Sequence, residues 1–568
     1  MAVPAAVKPA RALAVPAPSG WAIAAILVAA LLAVPIVAVL ASLAHPAADV
    51  WAHLWRTQLV SLIVNTLALV AAVGAGTLAL GTTLAWLVVA YDFPGRRVFE
   101  PALILPLAIP AYVIGFAFLG LFDFAGPAQT WVRATLGLRL PDIRSGAGVA
   151  VVMTLVFYPY VYLLARAAFH EQGAATLETA RSLGRSRTRA FVEVVLPLAR
   201  PSIVAGTSLA MMEALADFGT VSTFGYRTLT EGVYRVWYGM FDRVAATQLA
   251  TLLLFVALGL LLVERGLRGR ARFVQSQRRG HGIVPVRLAG RRAALACAAC
   301  AAVLGLAFVL PATQLVVWAA ADGGLDIRAG FGATLRNTLA LAASAALAAG
   351  VLALLLAYAR RLAPGAVVRF STQFVAMGYA LPGSVIAVGI LAPLAWLDHR
   401  VLGALAELLG RPLGLVLTGS VAGLLFAYVV RFLAVSFQSL EASLVKIPGT
   451  LDDAARSLGA SVGGTLRRVH LPMLRGGLMT ALVIVFVETM KEMPATLLLR
   501  PFGVSTLAIE VWERTSESLW AEAATPALAI VVAGLIPVYL AMGASNATSR
   551  KPAGGKSVAA GRAGVARE

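Results

Sequence analysis

Glu178-Thr179-Ala180-Arg181-Ser182-Leu183-Gly184, nine residues, then Val194-Val195-Leu196-Pro197: this stretch returns 275 residues later. The second copy reads Asp453-Ala454-Ala455-Arg456-Ser457-Leu458-Gly459, nine residues, then Val469-His470-Leu471-Pro472. Acid, glycine and proline recur in register, and each copy is a polar, basic segment between long apolar runs. An internal repeat constrains architecture before any local pattern does. Here it implies a duplicated membrane domain with one water-facing loop per half.

Composition agrees. Hydrophobic residues make up 60% of the 568 and charged residues only 13%, against about 25% charged in a soluble domain. Mean hydropathy is +0.84. The net charge of +20 would suggest nucleic acid on a polar chain. The basic residues instead sit between apolar spans, as membrane orientation requires, so no nucleic-acid partner is expected.

A helix needs about 20 apolar residues to cross a bilayer. Such runs lie near 20–44, 62–91, 99–121, 147–168, 202–222 and 246–264. The second half supplies 293–320, 334–359, 371–396, 413–435, 477–497 and 525–543. The expected fold is an all-α membrane protein of about twelve spans in two six-helix repeats. Lys and Arg concentrate in alternate loops, which puts both repeat loops and both termini on the cytoplasmic side. Lys8 and Arg11 precede an apolar run of about 24 residues, longer than a signal-peptide core of about 7–15, so the first span reads as retained.

The divisions expected are a cytoplasmic N-terminal segment 1–19, a first domain 20–264 and a basic linker 265–292. A second domain 293–545 and a disordered tail 546–568, rich in Gly, Ala and Lys/Arg, follow. The repeat extends beyond the loops. Asn65-Thr66-Leu67-Ala68-Leu69 recurs as Asn337-Thr338-Leu339-Ala340-Leu341, and Ile109-Pro110 as Leu381-Pro382. An even number of spans per half keeps the halves parallel, related by an axis along the membrane normal.

In the second loop, Thr450 three residues before Asp453 reads as a helix start, with the acid favoured by the helix dipole. Gly459 suits a left-handed stop, and Pro472 is expected to end a second short helix before the next span. Two acid pairs also lie inside apolar runs. Glu213 and Asp217 are four apart and share a helix face, and Glu488 and Glu492 repeat them at the same offset, with Lys491 beside them. An ionised group in hydrocarbon costs at least about 2.5–3.5 kcal/mol, so these acids should avoid lipid. They read either as a cation path of hard oxygen ligands or as a polar clamp between helices, and the residues alone leave both open. Cys297 and Cys300 have C-x-x-C spacing within a span and read as inert packing.

The repeated loop resembles the EAA signature of ATP-binding-cassette importer permeases, E-A-A, three residues, G, nine residues, I-x-L-P. Thr179, Asp453, Val194 and Val469 are mild departures. The resemblance covers nearly the whole chain and implies the type I importer permease fold. It implies that Glu178, Ala180, Gly184, Leu196 and Pro197, with Asp453, Ala454, Ala455, Gly459, Leu471 and Pro472, form two loops that couple to a cytoplasmic ATPase. Two ATPase copies and a periplasmic substrate-binding protein are the partners it implies, in a bacterial inner membrane. ATP and Mg would be bound by the ATPase and no cofactor by this chain. A phosphate-binding loop needs G-x-x-x-x-G-K-[ST]; Gly555-Lys556-Ser557 fails because Arg550 stands where the first glycine belongs. No nucleophile–base set is visible, so no enzymatic activity is expected.

Ala216-Asp217-Phe218-Gly219-Thr220-Val221-Ser222 and Met490-Lys491-Glu492-Met493-Pro494-Ala495-Thr496-Leu497 resemble segments of ferric-iron importer permeases, with Met493 for the usual Leu. Thr230-Glu231-Gly232-Val233-Tyr234-Arg235-Val236-Trp237 fits the same group. Similar permeases carry thiamine, polyamines or aminoethylphosphonate. A proton-coupled secondary transporter is the other class considered, and the paired EAA loops argue against it.

Overall fold

The computed structural model describes residues 20–171, 182–268, 285–321, 330–410 and 414–549. Among them are twelve helices long and apolar enough to cross a membrane. In the first half these are α1 (Gly20–Ala44), α2 (Leu59–Ala90), α3 (Ala111–Leu136), α4 (Gly146–Glu171), α5 (Thr188–Ala216) and α6 (Arg243–Arg268). The second half gives α7 (Gly290–Ala321), α8 (Phe331–Leu362), α9 (Gly383–Leu409), α10 (Val421–Leu444), α11 (Val462–Lys491) and α12 (Trp520–Leu540). Large apolar side chains such as Leu27, Val60, Leu295, Val351 and Val532 are exposed around the outside, as a lipid-facing surface demands. Between α6 and α7, Val286 and Arg287 pair in parallel with Tyr91 and Asp92 at the end of α2. That pairing fastens part of the linker to the first half.

Four expected spans differ from single straight helices, and they differ in symmetric pairs. The run 99–121 is a short helix Arg96–Ala102, a 3-10 turn Leu105–Ala108, and a restart at Ala111 after Pro110. The run 371–396 breaks likewise at Leu381-Pro382, with helix resuming at Gly383. Proline has no N–H and drives the residue before it out of helical geometry; Ile109 and Leu381 are both extended. The runs 202–222 and 477–497 stop at Ala216 and Lys491, then restart as Gly219–Thr223 and Pro494–Leu499.

Pro197 and Pro472 do not end helices. Each follows a π-turn, Phe191–Val195 or Leu466–His470, and the helix runs on through Leu196 or Leu471 into the span. A proline collides with the carbonyl four residues back, and the widened turn makes room for it.

The repeated Asn-Thr pairs act as struts for the segments beyond the breaks. Thr66 Oγ1 accepts from Leu229 N at 2.8 Å, and Thr338 Oγ1 accepts from Leu507 N at 2.9 Å. Asn65 and Asn337 donate to the carbonyls of Arg227 and Ser505. Thr228 and Thr506 then cap the next short helices through Glu231 N and Ile509 N.

Each half lends its first helix to the other. On α1, Trp21 packs against Tyr358 of α8, ring centroids 5.8 Å apart. The Pro35 carbonyl approaches Gly389 of α9 so closely that a Cβ there would lie 2.4 Å from it. On α7, Trp318 stacks on Phe116 of α3 at 6.0 Å and covers Gly120. Cys297 and Cys300, also on α7, are free thiols.

Small residues set the closest crossings, as in membrane bundles generally. A Cβ on Gly206 of α5 would lie 2.7 Å from Val161 Cα and 2.9 Å from the Tyr160 carbonyl of α4. Gly206→Val should force α4 and α5 apart and cost about 2 kcal/mol or more. Thermal unfolding of the detergent-solubilised protein checks this; an unchanged melting temperature contradicts the packing described.

Candidate functional site

The four breaks converge on one cavity of about 100 Å³ at the contact between halves. Glu213, Asp217, Glu488, Lys491 and Glu492 all line it, so both acid pairs read from the sequence meet in one place. Discontinuous helices that meet within a membrane are a common way to build a transport site.

The members of each pair are bonded differently. Asp217 Oδ1 accepts from Thr220 N at 2.8 Å and Val221 N at 3.3 Å, and its Oδ2 accepts from Thr220 Oγ1 at 3.0 Å. It caps the helix that restarts at Gly219. Glu492 Oε1 accepts from Ala495 N at 2.9 Å and caps the helix that restarts at Pro494. Free N–H groups at a helix start have no water to bond in a membrane, and a carboxylate also suits the dipole there. The other pair caps nothing. Glu213 Oε1 accepts from Tyr379 OH at 2.6 Å, and Glu488 Oε1 lies 3.5 Å from Lys491 Nζ.

Arg431, on α10, pairs with Glu492 at 3.0 Å. Gly383 makes this possible, because a Cβ there would sit 2.4 Å from Arg431 Nη1 and 2.6 Å from Glu492 Oε1. The sequence reading gave Arg431 no role. Its position inside the apolar run 413–435 was the signal that it belongs to the site. Tyr112, Tyr160 and Tyr379 also line the cavity; tyrosines in apolar spans are ordinary, so nothing in the sequence marked them. Among the described residues no three His, Cys, Asp or Glu side chains converge as a preformed metal centre.

Larger cavities lie on either side. One of about 830 Å³ shares Tyr160, Tyr379, Glu488 and Lys491 with the inner cavity and extends to Arg265 and Arg268. The other, about 840 Å³, shares Phe218, Tyr234 lies on its wall, and it extends to Arg500 and Phe502. Arg268 ends α6, whereas the second vestibule is lined by the residues between α5 and α6, so the two open on opposite faces.

The repeat loops lie apart from the cavity. Glu178 and Ala180 fall outside the described residues. Gly184 and Gly459 both have left-handed backbone, φ +80° and +74°, as was expected for Gly459. Leu183 and Leu458 before them are strongly exposed. Thr450 opens the helix Thr450–Ser457 as its first residue and not as its cap. Asp453 and Ala454 are exposed, with Asp453 paired to Arg456, while Ala455 is buried. Leu196 and Leu471 are half-buried beside exposed Pro197 and Pro472. Arg361 fixes the second loop through Asp452 Oδ2 at 2.6 Å and the carbonyls of Leu444 and Ile447. His470, bonded to Tyr358 OH, stands 3.0 Å from Asp452 Oδ1.

A family model described as binding-protein-dependent transport system inner membrane component matches residues 77–268. The sulfate transport system permease protein CysT of Escherichia coli is 31% identical over 231 residues, 39% of this chain and 82% of that one. The chain belongs to this family of inner membrane transport components. The Fe(3+)-transport system permease protein FbpB 2 of Haemophilus influenzae is 27% identical over 494 residues, 86% of this chain and 90% of that one. The molybdenum transport system permease protein ModB of Escherichia coli is 31% identical over 176 residues, 30% and 71% of the two chains. The chain is therefore the multi-pass permease subunit of an importer, and its part in transport is non-catalytic.

The bonding separates two kinds of acid by stability. Glu492→Gln leaves Arg431 buried without its charge partner and should cost about 3–5 kcal/mol. Adding Arg431→Met should restore more than half of that loss. Glu213→Gln, which caps nothing, should cost about 1 kcal/mol or less. Thermal stability of the three variants decides; equal losses for Glu213→Gln and Glu492→Gln contradict the distinction.

Proposed function

We propose that this permease imports ferric iron delivered by a periplasmic binding protein and driven by two copies of a separate ATPase. The observation that carries the cargo is the match over 86% of the chain to a protein named for Fe(3+) transport. The cavity chemistry supports it, because carboxylate and phenol oxygens suit a hard cation. Sulfate- and molybdenum-named relatives match shorter stretches, and an oxyanion would meet four carboxylates here.

In this reading the vestibule ending at Arg268 is cytoplasmic, as are both termini, and the vestibule at Arg500 receives cargo from the binding protein. Glu213 and Glu488 serve the path; Asp217 and Glu492, with Arg431, hold the breaks in place. Leu183-Gly184 and Leu458-Gly459 are the exposed tips that dock on the ATPases, and ATP and Mg are held there. Closure of the ATPases pulls both loops together. α5 and α11 carry that motion to the breaks, since each runs unbroken from its loop to the cavity.

Uptake of radiolabelled ferric iron under iron limitation tests the cargo. Loss on deletion and recovery on re-expression are expected. Unchanged uptake, in cells without a second iron system, moves the cargo to thiamine, a polyamine or a phosphonate. Gly184→Val combined with Gly459→Val opposes the left-handed backbone at a cost of about 1–2 kcal/mol per site. This double variant should insert normally but lose ATP-driven uptake. Normal uptake would contradict ATPase coupling through these loops and favour a proton-driven carrier.

A further inference from the structure

Lys491 breaks the symmetry of the site. At its equivalent position the first half has Ala216, so one ammonium serves a cavity lined by four carboxylates and the guanidinium of Arg431. Counted by formal charge, the carboxylates are in surplus even with both bases present. Arg431 is committed to Glu492, a pair that is nearly inaccessible to solvent. Lys491 is not committed in this way. Its Nζ donates to the Leu107 carbonyl at 3.0 Å, just before the break at Ile109-Pro110, and reaches Glu488 Oε1 only at 3.5 Å.

Lys491 also stands at a particular place. With Glu488, Tyr160 and Tyr379 it lines both the inner cavity and the vestibule that ends at Arg268. Glu213 and Glu488 line the same cavity and lie within each other's field, with Arg431 acting on both from the Glu492 side. Carboxylates that share a low-dielectric cavity repel, and with four of them against Arg431 alone a second positive charge is favoured. A second observation marks the cavity as built for a ligand. The Tyr112 hydroxyl has no hydrogen-bond partner among the described residues, although Tyr112 is 7% exposed and lies close to Asp217 and Glu492.

We propose that Lys491 is a tethered counter-cation, which holds the Glu213–Glu488 seat when cargo is absent and yields it when a cargo cation arrives. The inference rests on the reading of those two acids as path residues. Lysine suits the role, being a compact charge on a flexible four-carbon stem. Its swing away lets a multivalent cation take both carboxylates. Its return competes with that cation and drives release into the vestibule. Without the ammonium the cation binds more tightly and leaves more slowly, so binding and transport change in opposite directions.

The test uses Tb³⁺, a hard trivalent cation, titrated into the full chain in lipid nanodiscs. Luminescence sensitised by the cavity tyrosines reports binding. Lys491→Met should raise Tb³⁺ affinity about tenfold or more, slow its release on chelator addition, and lower ATP-driven ferric uptake. Lys491→Arg keeps the charge and should not show this gain in Tb³⁺ affinity. Lys491→Gln keeps a donor for the Leu107 carbonyl while losing the charge, and should behave as Lys491→Met does. Should Lys491→Met fail to reconstitute, Lys491→Gln gives the same reading. Unchanged Tb³⁺ affinity in the charge-removing variants overturns the exchange role and leaves Lys491 a structural pin. Binding indifferent to Glu213→Gln and to Glu488→Gln sinks the underlying path reading as well. Both arms stand whether or not iron is the natural cargo.

Discussion

A helix that stops inside a membrane exposes N–H groups where no water can bond them, and this protein closes two such stops with carboxylates. Asp217 and Glu492 sit where α5 and α11 end and accept the first N–H groups of the helices that restart. Everything at the centre follows from that requirement. The breaks can exist because the caps satisfy them. The cavity can exist because the breaks converge. Its charge then follows, since each cap brings a second acid one turn earlier on the same face.

The two halves meet this requirement with unequal chemistry. The first half caps with an aspartate satisfied by Thr220 and two backbone N–H groups. The second caps with a longer glutamate that also takes Arg431, and Val156 aligns with that arginine in the first half. The ends facing the loops differ too. Tyr358, Arg361, Asp452 and His470 form a polar lock on the second side, where the first side stacks Trp86 on Phe191 and sets it edge-on to Phe169. Duplication preserved the backbone plan and left the side chains free to specialise.

Much of this was legible in the sequence. The paired loops, the Asn-Thr repeats and the X-Pro dipeptides each carry a backbone constraint, and such constraints leave residue-type signatures. The left-handed stop at Gly459 was visible for that reason, and both acid pairs because they interrupt apolar runs. What was hidden depended on distance across the fold. Nothing in the spacing of Glu213 and Asp217 says that one caps a helix and the other bonds a tyrosine 166 residues away. The breaks were smoothed into continuous spans because hydropathy averages over a window wider than the two residues that interrupt each helix. Pro472 was read as a stop because the π-turn that accommodates it leaves no mark in composition.

The exchange of first helices has a consequence for how the chain is made. α1 leaves the ribosome long before α8 and α9, yet Trp21 and Pro35 pack on Tyr358 and Gly389 of the second half. Until those helices are made, that face of α1 lacks the partners it has in the finished fold. It reaches its final contacts only after α8 and α9 have inserted. α7, by contrast, emerges beside a finished first half and can pack on Phe116 at once. The order of translation thus makes one half the template and leaves the other to close the molecule.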